Sequence, residues 1–141
     1  MITEAQIDLV QNSFWDIVPV SEHAAALFYG RLFELNPSLR GLFRHSLQEQ
    51  GRKLMQMIAV AVHNLDRLEE IIPKIEALGC RHVAYGVQAE DYTTVGEAFI
   101  WTLQQALGDC FTPKLEAAWI AVYTLLATTA VNAAYTTEVA M

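Results

Sequence analysis

Apolar residues along this chain recur at three- and four-residue intervals from one end to the other. No run shows sustained two-residue alternation, so the pattern predicts helix throughout. Thr3-Glu4-Ala5-Gln6 has the form of a capping box, opening a helix that Pro19 closes. Ser21 is expected to cap a second helix, with Leu27, Phe28, Leu32 and Phe33 along it. Asn36-Pro37-Ser38 ends that helix and starts a short helical turn, and residues 41–46 read as irregular. From Gln48 to about Leu65 the chain is strongly amphipathic, with Gln50, Leu54, Ile58, Ala61 and Leu65 on one face. Pro73 is expected to begin the next helix and Gly86 to end it. Asp91 is expected to cap a helix that reaches about Leu107, with a loop over 108–111. Thr112-Pro113 then caps and starts a last helix to about Ala134. The fold class is all-α. Periodicity does not choose between a bundle and other helical packings.

Composition narrows the field. A chain of 141 residues suits one domain with a single sizeable core. At 53% hydrophobic and 18% charged it is not a disordered chain. The net charge of −7 argues against nucleic acid or an anionic membrane surface as a partner. From Ala117 to Thr137 no residue is charged, which is long enough to raise a membrane span. Its threonines and alanines, with Asn132 and Tyr123, make poor lipid-facing surface, and no basic cluster flanks it. A helix apolar nearly all round also suits the core of a globular protein, and that is the expectation. Cys80 and Cys110 have no metal-type spacing. With no signal-peptide pattern ahead of the first helix, reduced thiols and a cytoplasmic location are expected.

One side chain stands out chemically. Ile75, Leu78 and His82 share a stripe at about 100° per residue, so His82 points with apolar neighbours. An imidazole aimed into a core needs a partner, because an unpaired buried polar group is costly. A hydrogen bond to a neighbour would satisfy it; so would a metal. Of the other histidines, His23 lies among alanines, His45 follows Phe43 in a loop, and His63 falls away from the Gln50–Leu54 face.

The order of residues around His82 resembles the globin family. Leu78 to Trp119, with Gly86-Val87, Thr94-Val95-Gly96-Glu97, Gly108, Phe111-Thr112-Pro113 and Ala117-Ala118-Trp119, is similar to neuroglobins. Leu27-Phe28-Tyr29, Asn36-Pro37, Leu42-Phe43 and Gln50 to Leu54 resemble flavohaemoglobins and single-domain bacterial globins. The resemblance implies one globin domain over 1–141, with about seven to eight helices around a haem pocket. It implies haem b as cofactor and His82 as the axial ligand to iron, through a neutral imidazole nitrogen.

The same resemblance assigns roles to the remaining site residues. Phe43 would wedge against the porphyrin, and Gln50, Leu54, Val87, Tyr92 and Val95 would line its cavity. Lys53 would pair with a propionate, with Arg52 as an alternative. Tyr29 and Gln50 would be distal donors: dioxygen on ferrous iron carries partial negative charge, which a hydroxyl or amide can stabilise. Neuroglobins place a ligating histidine where Gln50 stands, so the departure implies a pentacoordinate ferrous site open to dioxygen, carbon monoxide or nitric oxide. Flavohaemoglobins carry a glutamate on the last helix that bonds the tyrosine matching Tyr92. Its counterpart here is Ala134, with Glu138 a turn later, so that relay is expected to be absent or displaced.

Three functions are open at this point: dioxygen binding for storage or transport, nitric oxide dioxygenation, and gas sensing. Dioxygenation would need an external reductase, since the chain is too short to add flavin and nicotinamide domains. A monomer or weak homodimer is expected.

Overall fold

The computed structural model describes residues 2–43, 46–84 and 88–140. Among the described residues there are six α-helices and four short 3-10 turns, and no strands. The helices are α1 (Glu4–Ile17), α2 (Ser21–Leu35), α3 (Leu47–His63), α4 (Leu68–Ala84), α5 (Ala89–Leu107) and α6 (Pro113–Ala140). The all-α class holds. The count of seven to eight is reached only when 3-10 turns such as Pro37–Leu42 are included.

Most helix ends follow local chemistry. Thr3 Oγ1 accepts from the Gln6 amide, and the Gln6 side chain accepts from the Thr3 amide, the reciprocal capping box expected there. Asn36 accepts from the Ser38 amide at 3.2 Å, and Thr112 from the Leu115 amide at 3.2 Å. At Gly108 a positive φ of 54° turns the chain out of α5, a conformation glycine takes without a side-chain clash.

Four boundaries differ from expectation. Ser21 does not cap α2 with its side chain; it is the first helical residue. Pro73 does not begin α4 but lies inside it, after a turn starting at Leu68. Proline removes only its own amide bond there, and the turn ahead of it is held because Ile71 is 3% exposed. Asp91 is not the cap residue of α5. It sits in the first turn and accepts from the Gln88 amide at 2.8 Å. Finally, α6 runs past Ala134 to Ala140. Gly86, expected to end α4, lies outside the described residues.

Packing is organised by α6 and α2. Extensive pairings join α4 to α6, α2 to α5, α2 to α3 and α1 to α6; α3 with α4 is not one of them. The larger core cluster gathers Val10, Phe14, Ile17, Leu65, Leu103, Leu115 and Val122 around Trp119, which is 1% exposed. Trp119 Nε1 donates to Ser13 Oγ at 2.9 Å, and Ser13 Oγ donates to the Val10 carbonyl at 3.0 Å. This chain of bonds ties α6 to α1 without leaving a buried donor unpaired. By length and composition α6 is apolar enough to cross a membrane; one side of it, through Leu115, Ala118, Trp119, Val122 and Ala130, is packed into the protein. Cys80 and Cys110 are both exposed, and no disulfide joins them.

Candidate functional site

The sequence-predicted site residues gather in two groups of side chains. The first is on α2. Tyr29 is 6% exposed and sits among aromatic rings, with centroids of Phe28, Phe43 and Phe33 at 5.1, 5.3 and 6.1 Å. Leu54 of α3 and Val95 of α5 pack on the same cluster. Burial in this apolar setting pushes the Tyr29 phenol up to about 12. Its hydroxyl has no hydrogen-bond partner among the described residues. Among the described residues that O–H is therefore available to a small polar ligand.

Gly51 brings α3 to this cluster. A methyl group there would lie 3.0 Å from Ala25 Cβ and 3.9 Å from a Tyr29 ring carbon, so the two helices cross closely at Gly51. Gln50, the preceding residue, is half-buried in the first turn of α3 beside that crossing. Phe43 follows the 3-10 turn Pro37–Leu42 and meets Phe33 edge-on at 5.6 Å. Lys53 and Arg52 are both exposed on α3, where water screens their charges.

The second group centres on His82, in the last turn of α4. It is half-buried, whereas His23 and His63 are exposed, and His45 lies outside the described residues. Burial, and secondly the neighbouring Arg81 charge, hold its imidazole below the usual histidine range and favour the neutral ring. Nδ1 lies 3.2 Å from the Tyr92 hydroxyl. With Nδ1 protonated and donating to that oxygen, Nε2 keeps its lone pair, the tautomer a metal ligand requires.

Tyr92 is in turn fixed from behind. Tyr123 of α6 donates its hydroxyl to the Tyr92 backbone carbonyl at 2.5 Å. The Tyr123 ring presses on Gly96, where a Cβ would come within 2.7 Å of it. Burial, with the nearby Tyr92 phenol adding to it, raises the Tyr123 phenol well above its ordinary range.

The sequence-predicted site residues thus fall into two sets. Tyr29, Phe43, Leu54 and Val95 share one cluster, with Gln50 at its edge, and His82 and Tyr92 form the other. Helix α5 links them, carrying Tyr92 and Val95 three residues apart. Lys53 is on the exposed surface of α3. Val87 lies outside the described residues, as do the side chains of Ala134 and Glu138. Sequence reasoning missed Phe33, which stacks on Tyr29, and the close approaches of Gly51 and Gly96. Phe33 was legible only as a core position; no local signal distinguishes a packing glycine from any other mid-helix glycine.

These residues fit a haem. A neutral imidazole that keeps Nε2 free, and a hydroxyl set among apolar and aromatic side chains, are groups of the kind that an iron porphyrin and a small bound gas require.

Known proteins agree. The globin family profile matches residues 26–130, and the chain belongs to the globin family. It is 31% identical to the flavohaemoprotein of Vibrio cholerae over 90% of this chain, and 32% identical to that of Oceanobacillus iheyensis over 78%. It spans only about a third of their length, 33% and 29% respectively. Among solved structures, an engineered carbene transferase of Rhodothermus marinus, described as a candidate nitric oxide dioxygenase, superposes with a TM-score of 0.89 at 25% identity. That match covers 99% of this chain and 98% of the other. A bacterial globin of Campylobacter jejuni shares the fold at 21% identity and a TM-score of 0.84, over 96% and 99% of the two chains. The chain is therefore a bacterial-type globin resembling the haem domains of flavohaemoproteins. Family membership implies haem binding and diatomic gas ligands.

Proposed function

We propose that this globin carries haem b with His82 as its only protein ligand to ferrous iron, and reversibly binds dioxygen and other diatomic gases. The observation that carries this reading is a neutral His82 oriented through Nδ1 by Tyr92, with the Tyr29 hydroxyl left free of any partner among the described residues. When bound, the haem supplies an iron centre that can take a diatomic gas. Tyr29 donates a hydrogen bond to the gas from a setting where burial keeps its phenol protonated. Gln50 would add an amide donor from the start of α3 and, being no ready iron ligand, would not compete with the gas. Phe43, Leu54, Val87 and Val95 would shield a haem from water, and Lys53 would pair with a propionate. Absorption spectra of the purified protein test this: a Soret band should shift on dithionite addition, and again under oxygen or carbon monoxide.

A second reading, nitric oxide dioxygenation, is favoured by the similarity to the Rhodothermus marinus protein and to flavohaemoproteins. Each turnover would combine nitric oxide and dioxygen with one electron to give nitrate. The electron would come from a reductase partner, and Tyr29 would hold the dioxygen for attack. We take the protein to act in the cytoplasm, as a monomer or weak homodimer.

A further inference from the structure

Helix α4, which carries His82, rests on α6 at a contact that admits no side chain. A methyl group built on Gly79 would stand 2.1 Å from the Ala130 carbonyl oxygen, 2.7 Å from its carbonyl carbon and 2.8 Å from its Cα. Gly79 is buried and Ala130 is 3% exposed. The other close glycines, Gly51 and Gly96, face side-chain atoms of Ala25, Tyr29 and Tyr123, and Gly30 faces open space. At Gly79 the obstacle is the backbone of a 28-residue helix, which cannot swing aside as a side chain can.

We propose that Gly79 is a positioning residue for the iron ligand, its missing side chain setting the depth at which α4 presents His82. This rests on the reading of His82 as that ligand. His82 follows Gly79 by three residues, about 4.5 Å of helix rise, so a rigid shift of α4 at Gly79 carries the imidazole with it. Its partner does not follow, because the Tyr92 carbonyl is held by Tyr123, which belongs to α6. Helix α6 is therefore the common reference for both halves of the 3.2 Å His82–Tyr92 contact. An alanine at residue 79 must push α4 off by about 1 Å to clear the carbonyl. That displacement breaks the contact and moves Nε2 beyond the roughly 0.5 Å tolerance of a preorganised site.

The test is Gly79→Ala in the haem-bound protein, read by the iron–histidine stretching band of the ferrous form and by the rate of haem transfer to an acceptor. The expected result is a lower-frequency band and roughly tenfold faster haem loss. In a His82→Gly protein supplied with free imidazole, the ligand is no longer tethered to α4, and Gly79→Ala should then leave the iron–imidazole band in place. An unchanged band in the His82 protein, or an equal shift in both backgrounds, would overturn the proposal. Gly30→Ala serves as a silent control. If Gly79→Ala does not fold, Ala130→Val loads the same contact from α6 and is judged on the same two bands. In the haem-free protein, the His82 ring nitrogens should lose their hydrogen-bonded nuclear magnetic resonance signature in either variant. That reading separates failure of this proposal from failure of haem binding at His82: a protein whose His82→Ala variant retains a normal haem spectrum fails on the ligand assignment, whatever Gly79 does.

Discussion

Tyr92 reaches His82 with its hydroxyl while its own carbonyl is gripped by Tyr123, so a side chain on α5 that touches the imidazole is braced by α6. The brace acts on the backbone and the contact is made by the side chain. Removing either one has a different consequence. Tyr92→Phe should leave the fold intact and lower the iron–histidine stretching frequency, because Nδ1 loses its oxygen partner. Tyr123→Phe should cost about 1 kcal/mol of stability, the usual net worth of one hydrogen bond, with a smaller effect on that band. Urea melts and resonance Raman spectra of both variants separate the two roles, and equal band shifts would contradict the division.

His82→Ala should abolish or severely weaken haem retention, since coordination and cavity burial act together. His63→Ala, on an exposed position, should retain it. Spectra of the two variants purified side by side decide the matter; loss of haem from the His63 variant alone would refute the assignment.

Tyr29→Phe has different effects with and without ligand. A hydrogen bond to a charged acceptor contributes roughly 1.5–3 kcal/mol, so oxygen dissociation should accelerate by about ten- to a hundredfold. Carbon monoxide, a poorer acceptor, should respond less. In the haem-free protein the substitution should be close to neutral, because the hydroxyl meets no partner among the described residues. Stopped-flow ligand replacement and urea melts measure the two effects, and a clear loss of haem-free stability would show that the hydroxyl is bonded within the protein.

Alkaline stability should carry the mark of the buried phenols. Folding raises the Tyr29 phenol from 10.0 to about 12, so the unfolded chain loses that proton first. The stabilisation is complete below pH 10 and is lost as pH rises towards 12, on the order of 2–3 kcal/mol at the limit. Tyr29→Phe should flatten this decline in urea melts taken from pH 9 to pH 11. Tyr123, raised still further, should leave a residual alkaline decline in that variant. An identical pH profile for the parent and the variant would exclude Tyr29 as the source.

Ser13→Ala should destabilise the protein by about 1–3 kcal/mol, since Trp119 Nε1 would be left buried without an acceptor. The haem-free protein is the better subject, as bound haem would add its own stabilisation. A change below a few tenths would mean that water reaches Nε1.

The helical class, most helix ends and the side chains worth watching were legible in the chain. Local chemistry acts over three or four residues, so Thr3, Asn36 and Thr112 announce their caps, and the stripe of Ile75, Leu78 and His82 announces an inward imidazole. Family resemblance supplied the site roles, because Tyr29, Gln50 and His82 are too far apart in the chain for any local rule to join them. What each of them meets depends on how the helices pack. The tertiary structure put Pro73 inside α4, where packing of Ile71 outweighs one missing amide bond. It left the Tyr29 hydroxyl without a partner among the described residues, set Tyr92 on His82, and seated α4 on α6 through Gly79. Each of these depends on contacts between helices distant in sequence, and the distances that decide them are fixed by how whole helices pack rather than by the residues next door.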